Sequence, residues 1–313
     1  MKVAVIAGDA PADLIRMMPA LTDAGRSVPG LELTLLGSTV VTTLARRHDT
    51  VRRALDIPID ALSGKWWDLR LHRRRGRVRK MFDELDAPFD RVVDGLGRDA
   101  TAALARLVQG ERRCGPGRDQ LASAALAKCY DDYFPIPDHL HPVQRHRVML
   151  AAVLDYGIHD LKPDYGLLPA TPEQTALGEG VVLSVAAGEV GWTDAQVAQV
   201  VDRIEEAGIA VTQIPPAGPE PGSEDSWWSV VESAGYVIAS DNATAHLAAA
   251  LGRPGLTLCP EGQAATCSAV SNRHARRAMV GIDQSRLVRP EVVAEATLRT
   301  LERIQSQDGA ETG

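Results

Sequence analysis

The sequence predicts an α/β protein of two Rossmann-like domains, each a mostly parallel sheet with helices on both faces. Three observations carry this reading. Short β-branched or aliphatic runs alternate with helix-compatible segments. The same strand–helix rhythm stands on both sides of a Pro/Gly-rich stretch at 157–180. The 313 residues exceed the size at which one hydrophobic core usually stops growing. The domains are placed at 1–165 and 175–313.

In the first half, KVAVIA (2–7) reads as a buried first strand and Asp13 to Ala24 as the helix after it. Pro29-Gly30 marks a turn, LELTLLG (31–37) a second strand and 39–47 a second helix. Residues 65–80 carry eight Lys or Arg against one Asp. FDRVVDGL (89–96) and DATAALARLV (99–108) form the next strand and helix, and a helix over 142–155 closes this half, with Pro142 suited to its first turn. Beyond the linker come GVVLSVAAG (180–188), a helix from Thr193 to about Ala207, GIAVTQI (208–214), a helix at 226–234, YVIAS (236–240), DNATAHLAAALG (241–252) and GLTLC (255–259). A last helix over about 290–307 is long enough to pack back on the N-terminal half.

A net charge of −7 gives no global positive field to attract a nucleic-acid backbone. Apolar residues at 45% and charged residues at 24% are ordinary globular values, so disorder is excluded as the class. The four cysteines fall at 114, 129, 259 and 267 with no C-x-x-C pair. No apolar stretch approaches a membrane span, and the N-terminus shows no leader pattern, so a cytoplasmic protein is expected, with peripheral membrane contact left open.

Residues 236–262 are the richest in chemistry. A hydrophobic strand runs into Asp241-Asn242-Ala243-Thr244 and an Ala-rich helix. Small residues there let a ligand approach the backbone, and free N–H groups favour an anion. The same side chains could serve only as helix caps. His246 lies one turn further on, and Pro260-Glu261-Gly262 adds a second loop at a strand's carboxyl end. In the first strand-to-helix turn, Asp9 and Asp13 are carboxylates able to take a proton or to cap the helix; the turn lacks G-x-G-x-x-G. The basic run with Trp66, Arg73 and Arg75 could hold an anionic ligand, meet a membrane surface or merely be solvated. The histidines at 139, 141 and 146 lack metal-binding spacing, and no metal is called for.

On these residues the chain resembles the heptosyltransferase-like glycosyltransferases, the bacterial family that includes the ADP-heptose:lipopolysaccharide heptosyltransferases. Four stretches carry the resemblance: VIASDNATAHLAAALGRPGLTLCPEG, DLIRMMPALTDAGRSVPGLELTLLG (13–37), FDRVVDGLGRDATAALARLVQGERRCG (89–115) and HPVQRHRVMLAAVLDYG (141–157). The resemblance implies a GT-B architecture, two Rossmann-like domains facing across a cleft, and metal-independent inverting transfer from a nucleotide-diphosphate sugar, with no cofactor. It implies acceptor binding by the N-terminal domain and donor binding by the C-terminal one. Asp13, six residues before Pro19, takes the place of the family's general base. Ser184, Gly188, Asp241, Asn242, Ala243, Thr244, His246, Pro260, Glu261 and Gly262 are expected around the donor, and Glu220 or Glu224 at its ribose. Asp9, Arg16, Trp66, Arg73 and Arg75 are expected on the acceptor side.

The departures are specific. The family's Asp-Thr-Gly is Asp241-Asn242-Ala243 here, and its phosphate-binding lysine aligns with Val190. These changes weigh against ADP-heptose more than against nucleotide-sugar binding. The Arg- and Ala-rich composition fits a GC-rich genome, so the expected acceptor is a secondary metabolite, as in antibiotic biosynthesis, or a surface glycan, small or anionic. The alternatives are a lipopolysaccharide-type heptosyltransferase and a degenerate relative serving as a binding or scaffold protein. The chain is expected to be a monomer or weak homo-oligomer.

Overall fold

In the computed structural model, the described residues are all except 63–68, 84–87, 161, 168–177, 186–187, 189–190, 261, 268, 271–278, 285–288 and 312–313. They form two compact units, Met1–Leu168 and Pro169–Gly313. Each holds one parallel sheet.

The first unit runs β1 (Lys2–Gly8), α1 (Pro11–Ser27), β2 (Glu32–Gly37), α2 (Thr39–Ala45), β3 (Val51–Asp56), α3 (Leu69–Asp83), β4 (Phe89–Asp94), α4 (Asp99–Leu107), β5 (Gly110–Pro116), β6 (Asp132–Phe134) and α5 (Pro142–Leu154). Its strand order is β3-β2-β1-β4-β5-β6. β1 is buried along nearly its whole length, as a central parallel strand covered on both faces must be. Gly8 ends it at φ +76°, and a Cβ there would stand 2.9 Å from Leu96 Cδ1, so the turn into α1 needs glycine. Ala4, Ile6, Leu36, Val92, Leu104 and Tyr130 belong to the core on one face of this sheet.

Three strands here escape the periodicity reading. β3 (VRRALD) and β5 (GERRCGP) are arginine-bearing and partly exposed, and β6 is three residues at the sheet edge. The charges of β5 are matched locally, Arg112 with Asp132 and Arg113 with Asp131, which lets polar sequence lie near the sheet edge. Residues 69–80 of the basic run lie in α3, whose Val78 and Phe82 are buried in the same core.

α5 packs on α1. Arg147 on α5 is fully buried. Its guanidinium forks onto Asp23 of α1, with Nε to Oδ2 at 2.6 Å and Nη2 to Oδ1 at 3.3 Å, and it also donates to the Asp160 carbonyl. The segment after α5 is held nearby: Asp49 N donates to Gly166 O, and Arg26 pairs with Asp164.

The second unit runs β7 (Val181–Ser184), α6 (Asp194–Glu205), β8 (Val211–Gln213), α7 (Glu224–Glu232), β9 (Tyr236–Ser240), α8 (Ala243–Ala250), β10 (Gly255–Pro260), α9 (Ala264–Cys267), β11 (Met279–Gln284) and α10 (Pro290–Glu311). Its strand order is β11-β10-β9-β7-β8. α10 packs on α6, and its Val293, Ala294 and Leu301 join the core of this unit. α6 starts with a capping box between Thr193 and Gln196.

Arg147→Ala should lower the stability of the first unit by about 3 kcal/mol, because it strands the Asp23 carboxylate. Thermal melting should show this as a fall of several degrees in Tm.

Candidate functional site

Open α/β sheets bind ligands outside the carboxyl ends of the strands, where strand order reverses. That point lies between β1 and β4 in the first unit and between β7 and β9 in the second. Chemistry-bearing side chains collect at both.

In the first unit a cavity of about 220 Å³ opens at this point, lined by Asp13, Arg16, Arg98, Arg145, His146 and Gln120 among others. Asp13 is the third residue of α1, where a carboxylate suits the helix dipole. It makes no cap; its nearly buried carboxylate faces the cavity instead. Arg98 Nη1 donates to Asp13 Oδ2 at 2.6 Å, and Arg16 Nη1 stands 3.8 Å from Oδ1. The Arg98 side chain is 52% exposed against 9% for Asp13, so an accessible cation covers a buried anion.

His146 forms the opposite wall. Gly95 follows β4 so closely that a Cβ would lie 3.1 Å from His146 Nδ1. Burial of the ring pushes its pKa down to about 4; Asp13 pulls the other way, and Arg16, Arg145 and Arg98 reinforce the fall. His146 is therefore neutral at pH 7, able to donate or accept a hydrogen bond without adding charge.

In the second unit, Asn242 caps α8 and ties the two central strands together. Its Oδ1 accepts from Thr244 N at 3.0 Å and Ala245 N at 3.2 Å. Its Nδ2 lies 2.8 Å from Ser184 O, 3.2 Å from Ser184 Oγ and 3.1 Å from Ser240 Oγ. The two N–H donors fix which amide atom is oxygen. His246 is buried, with Nε2 2.8 Å from Asp241 Oδ1. Trp227 Nε1 on α7 donates to Thr244 Oγ1 at 3.3 Å, which brings the start of α7 to the same edge. One turn before that indole sits Glu224, 5% exposed. Its Oε2 accepts from Gly222 N at 2.8 Å, while its buried Oε1 has no hydrogen-bond partner among the described residues.

The expected donor residues Ser184, Asp241, Asn242, Ala243, Thr244 and His246 thus come together. The pattern of bonds differs from the expected one in a single respect: the Thr244 and Ala245 N–H groups already serve the Asn242 side chain. Gly188 and Gly262 sit in exposed turns at φ +89° and +74°, and Pro260 is exposed at the end of β10. Glu220 is exposed, and its carbonyl accepts from Ser223. Glu261, Val190 and Trp66 lie outside the described residues. On the acceptor side, Arg16 joins Asp13 in the cavity. Asp9 is exposed on the turn before it and does not line it. Arg73 and Arg75 lie apart on α3, with Arg75 Nη2 donating to Leu62 O. Arg98, Arg145 and Gln120 were missed by the sequence reading. The signal for Arg98 was its place four residues past the end of β4, in a turn at the carboxyl edge. Arg145 and Gln120 reach the cavity through packing alone.

No family model matches the chain. Lipopolysaccharide heptosyltransferase 1 of Pseudomonas aeruginosa is 28% identical over 167 residues, which is 53% of this chain and 46% of that protein, so the match spans about half the length of that relative. The protein of the same name from Escherichia coli K12 is 24% identical over 284 residues, 82% of this chain and 87% of that protein. Among solved structures, E. coli heptosyltransferase WaaC with ADP has a TM-score of 0.73 at 20% identity, covering 97% of this chain and 99% of that one. E. coli ADP-heptose lps heptosyltransferase II has a TM-score of 0.69 at 14% identity, covering 97% and 100%. The two parallel α/β sheets are similar in fold to those heptosyltransferase structures.

The neutral state of His146 has a measurable consequence. Its folded pKa lies below the unfolded value of 6.5, so the unfolded chain takes up the proton first. The stability it contributes is complete above pH 6.5 and is lost as pH falls toward about 4. His146→Gln should flatten the fall in Tm across that window relative to the unsubstituted protein.

Proposed function

We propose that the chain is a metal-independent, inverting glycosyltransferase that moves a sugar from a nucleotide-diphosphate donor to the hydroxyl of an anionic acceptor, a secondary metabolite or surface glycan. The observation that carries the donor half is Glu224. A buried carboxylate oxygen without a partner costs roughly 1–3 kcal/mol or more, and a ribose diol would satisfy it. Asp241, Asn242, Thr244 and His246 stand beside it for the diphosphate and sugar.

In the acceptor half, Asp13 takes the proton of the acceptor hydroxyl as that oxygen bonds to the anomeric carbon. The bond from that carbon to the diphosphate breaks, its electron pair leaves with the diphosphate, and a single displacement inverts the centre. Arg16, Arg98 and Arg145 favour an acceptor carrying negative charge. The leaving diphosphate is met by the protein's own donors.

ADP is the first nucleotide to test, because the similar structures hold ADP or ADP-2-deoxy-2-fluoro heptose. ADP-heptose transfer by a lipopolysaccharide-type enzyme is the second donor reading, favoured by the relatives' lipopolysaccharide heptosyltransferase names and by a similar structure whose name includes ADP-heptose. A binding or scaffold role without transfer is favoured by one feature: Asn242 occupies two backbone donors at the α8 N-terminus.

Calorimetric titration with ADP, GDP, UDP and TDP separates these readings. Micromolar binding of one nucleotide, weakened about tenfold or more by Glu224→Gln and by Asp241→Ala, is the expected result. Binding to none of the four would leave the scaffold reading. With a donor in hand, Asp13→Asn should retain nucleotide affinity while transfer falls about 10²–10⁴-fold. Loss of nucleotide affinity in that variant would contradict the assigned role of Asp13.

A further inference from the structure

We propose that His146 sets acceptor specificity by hydrogen-bonding a second hydroxyl of the acceptor, next to the one that Asp13 deprotonates. This role rests on the assignment of the first unit's polar cavity to the acceptor. His146, on α5, lines that cavity together with Asp13. The same ring also lines a small apolar cavity with Val5, Met17, Val93 and Leu150. It therefore divides a polar chamber from one lined otherwise by apolar residues and glycine.

Other histidines in protected places have their nitrogens engaged. His48 Nε2 lies 3.0 Å from Met18 O and 3.1 Å from Thr22 Oγ1, and its Nδ1 accepts from Thr50 N. His141 Nδ1 accepts from Val143 N as the cap of α5, and His246 Nε2 meets Asp241. Among the described residues, His146 makes no hydrogen bond and no ion pair, although burial holds its ring neutral. Polar groups in protected places are normally satisfied, so a ring left open toward a cavity marks the place of a ligand's polar group. Gly95 keeps the ring there: a Cβ at that position would come within 3.1 Å of Nδ1 and 3.6 Å of Met149 Sδ.

The chemistry of the ring selects the group it takes. The charge of an anionic acceptor is matched by Arg16, Arg98 and Arg145 on the same walls. A neutral imidazole adds no charge to that match. It donates through one nitrogen and accepts through the other, the pattern that a hydroxyl complements. Because Asp13 faces the same cavity, the acceptor that fits carries two hydroxyls on one frame, the reacting oxygen toward Asp13 and its neighbour toward His146. An analogue without the second hydroxyl leaves the ring unpaired in the complex, and a site built to bond a hydroxyl discriminates strongly against such an analogue.

Heteronuclear NMR of the full chain tests this with two probes of equal charge, D-glucuronate, a ring carboxylate bearing hydroxyls, and cyclohexanecarboxylate, which lacks them. Glucuronate should shift the His146 ring nitrogens, identified by their absence from the spectrum of H146Q, and cyclohexanecarboxylate should leave them in place. H146F should weaken glucuronate binding about five- to tenfold and leave the weaker binding of cyclohexanecarboxylate unchanged. H146Q, which keeps a donor and an acceptor, should retain most of the affinity. A ring that only supports the fold would lower both affinities together in H146F, and that result would overturn the inference. Glucuronate binding that leaves the ring nitrogens unmoved, or no glucuronate binding at all, would overturn it as well. If H146F does not fold, the ring-nitrogen shifts of the unsubstituted protein still decide the matter. Neither probe contains a nucleotide, so this outcome stands apart from the nucleotide titration that tests the glycosyltransferase reading.

Discussion

Parallel pairing puts every strand-to-helix turn of a sheet on one edge, and the remaining architecture follows from that constraint. In the first unit β1 has β2 on one side and β4 on the other, so the helices after β1 and β4 diverge to opposite faces. The crevice between them receives Asp13 from the start of α1 and Arg98 from the start of α4. In the second unit the same reversal separates the ends of β7 and β9. There Asn242 reaches from the β9 turn to Ser184 at the end of β7. The polar groups that carry the chemistry sit on backbone fixed by hydrogen-bonded strands, which holds them in place without a ligand.

Two of the first unit's arginine–aspartate pairs differ in physical character. Arg147 and Asp23 are bidentate, the guanidinium is fully buried, and the fork also serves a backbone carbonyl; such a pair fixes α5 against α1 and the segment beyond it. Arg98 and Asp13 share one contact, and the arginine is half exposed. Solvent screens the second pair far more, so an incoming anion can compete for Arg98. A negatively charged acceptor would thus draw the guanidinium toward itself and leave Asp13 Oδ2 open to a hydroxyl proton. The neutral His146 on the opposite wall adds shape and one polar contact without further attracting or repelling that anion.

Much of this was legible in the sequence, and the illegible part has common causes. Buried parallel strands such as KVAVIA, YVIAS and GLTLC announce themselves as apolar runs, and both units were read from them. β3 and β5 were missed because strands at or near a sheet edge tolerate exposed arginines, those of β5 being matched by carboxylates of the neighbouring segment. Asp13 and the Asp241–His246 turn were legible because strand-to-helix turns are local in sequence. Arg98 joins Asp13 across 85 residues, and Asn242 joins Ser184 across 58. Long-range partners of this kind depend on which strands become neighbours, which no local pattern records. The unpartnered oxygen of Glu224 belongs to the same category: the sequence offered Glu220 or Glu224 as ribose candidates, and only packing shows that one Glu224 oxygen is buried without a hydrogen-bond partner among the described residues.

The Asp241-Asn242-Ala243 turn deserves its own physical account, since an amide side chain stands where a smaller or hydroxyl-bearing one was expected. An Asn cap with two N–H partners stabilises a helix start by on the order of 1 kcal/mol, and the ties to Ser184 and Ser240 make the turn stiffer than a glycine turn would be. The same bonds leave fewer free backbone donors for a diphosphate at the α8 N-terminus. Because Nδ2 has two protons and three oxygens within reach, exchanging one of those neighbours for a phosphate oxygen need not strand the amide. Affinity would then depend on how easily the Asn242 side chain shifts, and a ligand that gains a ribose contact at Glu224 could drive that shift with binding energy from the far end of the nucleotide. In the proposed donor site, the stiffened Asn242 turn and Val190 where the resemblance expects a lysine would act in the same direction, placing more of the donor's recognition on the nucleoside and less on its phosphates.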